Sequence, residues 1–297
     1  MRRSLELLAE RGIAVEAIPT NGPGSAKGIS RQCIDRGADL ILVAGGDGTI
    51  NEVVNGMAHS HVPLGILPAG TANVLANELG TGTTMERAAR SLGECVKERV
   101  ALGLLSTPGQ AERHFLLMAG AGLDAEIVHR VNPKIKDAIG KLAYWIGGFG
   151  KLGSRLAEFT VEVDGREYPA SFALASRVRN YGGDLEIAPT VSLLDDQFEL
   201  VLFEGASSFT FLKYMLGVVA KRHQNMRGVT ILRAQKVVFP ALADCQIHLQ
   251  VDGEYVGLTR GTVEIVPNAL TLLVPPGFRA RRPASVDDTA WTTSPTR

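Results

Sequence analysis

The stretch that most constrains this chain runs from Ala38 to Met57 and reads ADLILVAGGDGTINEVVNGM. Leu40 to Ala44 is an apolar run of strand length. Gly45, Gly46, Asp47, Gly48 and Thr49 follow, a turn too glycine-rich for a strand or a helix interior. Ile50, Val53, Val54 and Met57 then share one face at helical spacing. Strand, glycine turn and helix in that order offer backbone N–H groups and a helix N-terminus to an anion. A second copy of the device follows, with a strand at Pro63 to Leu67, a turn reading PAGTAN from Pro68 to Asn73, and a helix from Val74 that Gly80 closes. Two such turns can lie side by side at the carboxyl edge of a parallel sheet, where open α/β sheets bind ligands. Ordinary βα connections are the alternative. The polar set Asp47, Thr49, Glu52, Thr71 and Asn73, with Gly70 in the second turn, favours a ligand site. Glu52, placed in the first helical turn, either reaches towards that ligand or, like Asn51, caps a helix.

Composition bounds the rest. Lys+Arg and Asp+Glu number 31 each in 297 residues, so net charge gives no argument for nucleic acid. The 45% hydrophobic and 21% charged fractions are those of a soluble globular protein of one large domain or two ordinary ones. Cys33, Cys95 and Cys245 are too far apart for a disulfide framework or a zinc site, which fits a cytosolic location. Met1 to Arg11 lacks the apolar core of a signal peptide, and no run reaches the length of a membrane span.

Along the chain, Arg2 to Arg11 reads as an amphipathic helix with Leu5, Leu8 and Ala9 on one side, Ile13 to Ile18 as a strand, and Ala26 to Asp35 as a helix. With the two turn units this predicts a parallel sheet with helices on both faces. A helix at Thr84 to Leu92 and a strand at Glu98 to Leu105 complete the first domain, residues 1–108. Residues 109–277 differ in texture: eight strand-like runs lie between Phe115 and Val274, with turn signals at Asp164-Gly165 and Asp252-Gly253. They predict a mainly antiparallel β sandwich interrupted by helices near 137–151 and 208–222. Residues 278–297 read as a disordered tail.

Further stretches could carry chemistry. Gly120 to Glu126 (GAGLDAE) is another glycine-bearing exit from a strand. Arg177 to Asp196 places two arginines and Asn180 before a glycine pair, suited to phosphate, a lipid headgroup or a solvated edge. Asp195 and Asp196 precede a strand and could hold a hard cation with backbone carbonyls. VDGEY at Val251 to Tyr255 is an ordinary hairpin turn that carries two carboxylates. Trp145 and its apolar neighbours from Ile139 to Leu152, and Phe209 to Val219, are flanked by lysines and arginines; each suits either an anionic membrane surface or core packing. No dinucleotide, phosphate-loop Gly-Lys-Ser/Thr, nucleophile-elbow or nucleic-acid motif is present in the sequence.

The chain resembles the bacterial diacylglycerol kinase-like lipid kinases, relatives of sphingosine and ceramide kinases. The sharpest matches are GGDGT at Gly45 to Thr49 with Asn51-Glu52, and PAGTAN at Pro68 to Asn73. Weaker ones are Gly122 to Ala125, Gly140 to Tyr144, Asn180 with Gly182-Gly183, Ala188-Pro189 and Asp252-Gly253-Glu254. The resemblance implies a 6-phosphofructokinase/NAD kinase-like α/β domain, a C-terminal β sandwich, and ATP with magnesium (Mg2+) bound between them. It implies phosphoryl transfer to a lipid hydroxyl such as that of diacylglycerol. Gly45 to Thr49 would form the nucleotide loop, with Asp47 acting through magnesium and water. Asp252 would be the general base and Glu254 its support. Asp196, with the carbonyls of Leu193 and Phe198, would hold a structural magnesium. The implied partners are a membrane lipid and, peripherally, the inner membrane face; a homodimer is compatible with it.

The chain departs from that pattern in three places. Family members usually begin with a strand and an Asn-Pro-x-x-Gly turn, whereas this one opens on the following helix. Val74 stands where many members carry an aspartate, and Gln197 where a glycine usually follows Asp196. A soluble NAD kinase-like enzyme and a non-catalytic nucleotide- or lipid-binding module are the alternatives.

Overall fold

The apolar run at Leu40 organises the N-terminal lobe as its pattern requires. Helices α1 (Arg2–Ala9) and α2 (Ser25–Asp35) precede β1 (Ile41–Gly45), α3 (Asp47–Met57), β2 (Leu64–Pro68), α4 (Val74–Leu79) and α5 (Met85–Ser91). The computed structural model describes residues 1–130, 153, 155–182, 185–239 and 247–281. Strands β1 and β2 pair in parallel from Ile41 opposite Leu64 to Gly45 opposite Pro68, so both turns leave the same sheet edge at the same level. Ile50, Val53, Val54 and Met57 bury the predicted face of α3, each contributing roughly 1.5–3 kcal/mol.

Three expectations are corrected here. Helix α3 begins at Asp47, so Asp47, Gly48 and Thr49 form its first turn and only Gly46 remains outside as N-cap. Aspartate in a first turn suits the helix dipole, which outweighs the poor helix propensity of Gly48. Ile13 to Ile18 forms no strand: most of its side chains are exposed, and alternation without a buried face gives no ladder. Helix α1 buries Ser4, Leu7 and Leu8, while Ala9 is exposed.

The C-terminal lobe follows from β3 (Val96–Ser106) through β4 (Arg113–Phe115), β5 (Met118–Gly122), α6 (Leu123–Arg130), β6 (Phe159–Val163), β7 (Arg166–Ala170), β8 (Phe172–Ser176), β9 (Asn180–Tyr181) and β10 (Leu185–Glu186). It continues with β11 (Phe198–Phe203), α7 (Ser208–Val219), β12 (Val229–Ala234), β13 (Lys236–Phe239), β14 (His248–Val251), β15 (Glu254–Leu258) and β16 (Gly261–Val274). One sheet is antiparallel in the order β12-β11-β8-β5-β14-β15. It stacks on a sheet containing β13, β6 and β7 across a core that includes Phe115, Phe159, Phe198, Phe239 and Leu249. The run at Val229 divides between the two sheets as β12 and β13.

Strand β16 joins the lobes. Its first half pairs with β13 and the end of β3; after an irregularity between Val266 and Leu270, with Asn268 at φ 52°, its second half pairs with the start of β3. Leu272 also meets Leu64 of β2 in parallel. The C-terminal strand therefore extends the N-terminal sheet. Phe278 is buried and Arg279 pairs with Glu98, so the chain stays docked beyond the expected start of the tail. Residues 282–297, the stretch from Ile139 to Leu152 with Trp145, and Cys245 lie outside the described residues.

Phe198 is fully buried and stacks on Phe115 at a ring separation of 5.7 Å. Phe198→Ala is expected to cost about 3–5 kcal/mol in urea unfolding.

Candidate active site at the junction of the lobes

The two glycine turns touch, backbone to backbone. A Cβ built on Gly70 would stand 2.5 Å from the Gly46 Cα, and one on Gly46 would stand 3.2 Å from the Gly70 Cα. The Ala69 N–H donates to the Gly45 carbonyl at 3.1 Å, which locks one turn to the other. No side chain caps α3, so its first N–H groups open onto this edge. Thr49 folds back over Gly45, whose added Cβ would meet the Thr49 Cβ at 2.8 Å. Thr71 is exposed on the second turn. Two backbone turns and a helix N-terminus converge here into a cradle whose N–H groups can receive an anion.

The other polar residues of the turns are partly spent on the scaffold. Asp47 accepts the Val74 N–H at 3.0 Å and the Leu75 N–H at 3.2 Å, so it caps α4 from across the junction. Each oxygen keeps a lone pair, and the side chain is half-buried, so the position suits a cation carried on a phosphate chain. Asn73, in the left-handed region at φ 47°, takes the Gly70 N–H at 2.8 Å and returns a bond to the Gly70 carbonyl at 2.7 Å. It shapes the turn. Glu52 lies in the second turn of α3 and accepts the Gly24 N–H at 2.6 Å and the Ala26 N–H at 3.0 Å, capping α2. That is the structural one of its two expected roles.

Asp252 sits in the β14–β15 hairpin turn, 8% exposed, with Asp252 at φ 48° and Gly253 at φ 79°. Two consecutive positive φ values are what an Asp-Gly type I′ turn supplies. Its Oδ1 accepts from the Leu117 and Met118 N–H groups, both at 2.9 Å. Its Oδ2 accepts the Leu116 N–H at 3.0 Å and the Asn51 Nδ2 at 2.8 Å. Four donors fill the roughly four lone-pair sites of a carboxylate. Burial pushes the Asp252 carboxyl up, and the Leu116, Met118, Asn51 and Leu117 bonds pull it back. Asn55, one turn after Asn51, accepts the His114 N–H at 2.9 Å and donates to the His114 carbonyl at 2.8 Å. Helix α3 thus carries the cradle at its start and grips the C-terminal lobe along its length. Glu78 of α4 adds a second tie through its ion pair with Arg179, 3.4 Å apart.

Glu254 faces the cradle directly. Its Oε1 lies 3.1 Å from where a Cβ on Gly48 would be, and its other oxygen pairs with Arg113. Arg113 also donates to the Asn51 Oδ1 at 3.2 Å. Both side chains are partly exposed. Behind them Asp124, in the stretch from Gly120 to Glu126, is fully buried. It accepts from the Tyr181 hydroxyl and from the Gln250 Nε2 at 2.7 Å. The Gln250 Oε1 accepts the Gly253 N–H at 2.8 Å, so Asp124 braces the turn that carries Asp252. Burial pushes Asp124 up to about 6, against the two hydrogen bonds.

The expected magnesium ligands around Asp196 do not fit a metal as placed. Arg177, fully buried, donates to the Leu193 carbonyl at 2.8 Å and to the Asp195 carbonyl at 3.1 Å. Burial lowers its guanidinium to about 10, which leaves it charged at neutral pH. Asp195 pairs with Arg233 at 3.0 Å, the Asp196 side chain is exposed, and Phe198 lies in the β11–β12 ladder. A fixed cation beside these carbonyls repels a second one. Among the described residues no three His, Cys, Asp or Glu side chains gather in one place. Of the two arginines read as candidate phosphate ligands, Arg177 holds this loop and Arg179 holds Glu78.

Arg113, Asn55 and Gln250 were not legible as site residues. Asn51 and Asn55 do carry a signal, an i, i+4 pair on the helix after the glycine turn. Arg113 ends a loop and carries none.

Comparisons with known proteins agree with this architecture. The diacylglycerol kinase catalytic domain family matches residues 1–105, and the YegS C-terminal NAD kinase beta sandwich-like domain family matches residues 118–274. A diacylglycerol kinase of Bacillus subtilis is 31% identical over 263 residues, 86% of this chain and 84% of that protein. A crystal structure of a diacylglycerol kinase from Bacillus anthracis superposes with TM-score 0.74 at 20% identity, over 93% of this chain and 92% of that one. An NAD kinase from Archaeoglobus fulgidus, solved in complex with ATP, superposes with TM-score 0.50 at 14% identity, over 94% and 92%. The two structures share the fold: an α/β lobe and an antiparallel sandwich.

Asp252→Asn turns an acceptor into a donor that faces backbone N–H groups. It is expected to destabilise the protein by about 3 kcal/mol, read as a lowered melting temperature. The Asp124 carboxyl, raised from its ordinary 3.8 to about 6, stays protonated in the folded state while the unfolded chain ionises. Stability therefore falls as pH rises from about 4 to about 6, by about 3 kcal/mol from this group. Asp124→Asn is expected to remove that part of the slope in denaturant titrations across this range.

Proposed function

This chain belongs to the diacylglycerol kinase family, and we propose that it transfers the terminal phosphoryl group of ATP to a hydroxyl of diacylglycerol or a related long-chain lipid. The observation that carries the reading is the contact of the two glycine turns beneath the Glu254 carboxylate of the other lobe. Phosphoryl transfer asks a protein mainly for positioning and for neutralisation of charge. The N–H groups at the start of α3 and the Thr49 and Thr71 hydroxyls hold phosphate oxygens. Magnesium bound with the nucleotide supplies neutralisation, and Asp47 is the residue that would hold it.

The acceptor hydroxyl must lose its proton as its oxygen meets phosphorus. Asp252 is the wrong carboxylate for that proton, because its lone pairs are already taken by four donors. Glu254 has one oxygen towards Gly48 and solvent access, and we assign it the proton-accepting role. Arg113 orients Glu254 and brings positive charge to the phosphate that moves. Asp252 acts as a positioning residue that keeps Glu254 and the cradle in register.

NAD kinase-like activity is the second reading, supported by the weaker structural likeness to an NAD kinase. Incubation with labelled ATP, magnesium and either diacylglycerol or NAD separates the two; label in the lipid alone is the expected result, and label in NAD alone overturns it. Glu254→Gln is expected to lower kcat by about 100-fold or more while the free energy of unfolding changes by no more than about 1 kcal/mol. Full activity in that variant removes Glu254 from its assigned role.

A further inference from the structure

Helix α7 is amphipathic in an unusual sense: it has two apolar faces, and among the described residues only one is covered. Tyr214, Met215 and Val218 are buried, and the Tyr214 ring lies 5.1 Å from that of Phe203 in the antiparallel sheet. Half-buried Phe211 adds ring contacts with Phe172 at 5.8 Å and Phe203 at 6.1 Å. The inner face is therefore fixed. On the outer face Phe209 is 62% exposed, Leu216 61% and Val219 61%. Among the described residues the other strongly exposed large apolar ones, Met1, Val15, Ile18, Val96 and Leu258, are scattered over four other segments. Three on one helix form a patch of the kind that marks an interaction surface.

Charge says what that surface meets. From Ser207 to Arg227 the chain contains Lys213, Lys221, Arg222 and Arg227 and no aspartate or glutamate. Lys213 lies in the exposed stripe itself, one turn after Phe209 and one before Leu216. A lysine there spreads its methylenes over apolar neighbours and lifts its ammonium to a polar layer. Lys221 is engaged by Glu186, and Glu204 lies near Tyr214 and Gly228. Arg222, Arg227 and Lys213 are exposed, and none of them forms an ion pair among the described residues. A protein partner would be expected to bring acidic side chains in a fixed pattern. Three apolar side chains amid mobile cations fit a fluid anionic surface better. At 12 residues α7 is too short to cross a bilayer and suits the interface plane.

We propose that α7 is a membrane-docking helix. It lies along an anionic bilayer with Phe209, Leu216 and Val219 at the acyl boundary and Lys213, Arg222 and Arg227 among the phosphate headgroups. The proposal stands on the exposure and charge of α7 and does not need the phosphoryl-transfer reading.

Co-sedimentation of the full chain, without nucleotide, with vesicles of phosphatidylcholine alone or mixed with phosphatidylglycerol tests it. The expected result is binding to the mixed vesicles that weakens with added salt. Phe209→Ser with Leu216→Ser should weaken that binding at least tenfold, and Lys213→Gln about fivefold. These residues are exposed, so the melting temperature should hold, and it is measured on each variant. Binding that is equal in wild type and variants, or absent in wild type, overturns the proposal. A wild-type chain that sediments as a dimer, and as a monomer with Phe209→Ser and Leu216→Ser, overturns it too and gives the face to a second copy. Loss of vesicle binding leaves the labelled-lipid assay untouched when the lipid is presented in detergent micelles, so the two readings fail separately.

Discussion

One buried carboxylate holds this molecule in register. Asp252 leaves water almost completely, and the cost is met by three backbone N–H groups from Leu116 to Met118 and one amide from Asn51 of the other lobe. A buried ionised group with unfilled lone pairs would be untenable; with all of them filled it is a fixed point. Because one of the four donors belongs to α3, the fixed point lies between the lobes. The glycine turn at the start of α3 and the hairpin carrying Glu254 are thereby set against each other so closely that a Cβ on Gly48 would stand 3.1 Å from the Glu254 Oε1.

The scaffold around that point is arranged to resist relative motion. Strand β16 pairs within the sandwich at one end and reaches β2 at the other. The main core runs without a break from Val43 and Ile50 of the N-terminal lobe to Phe172 and Phe203 of the antiparallel sheet. Asn55 on the His114 backbone and Glu78 on Arg179 add polar ties on either side. Polar ties specify geometry while apolar continuity supplies most of the free energy. A site that works by positioning needs both.

Carboxylates of one composition class take different roles here because of their surroundings. Glu52 caps α2, Asp47 caps α4 while keeping access to the cradle, Asp252 locks the lobes, and Asp124 braces its turn from full burial. Glu254 alone among these combines a position over Gly48 with partial exposure. The same reasoning decides the Asp196 loop, where Arg177 sits as a built-in cation against the Leu193 and Asp195 carbonyls.

The chain's own residue order determined the two turn units, the face of α3, the Asp-Gly hairpins and the alternation of strands in the second half. These are local: periodicity, glycine content and turn chemistry act over a few residues. The tertiary structure alone decided that Ile13 to Ile18 is no strand, because a ladder needs a partner and a buried face. It alone decided that Asp252 spends its lone pairs on Asn51 and the Leu116–Met118 backbone, and that Arg113 meets Glu254. Those contacts join residues far apart in the chain, Asn51 with Asp252 across 201 positions among them. Hydrogen-bond capacity and burial are properties of the packed neighbourhood, and no short-range pattern encodes them.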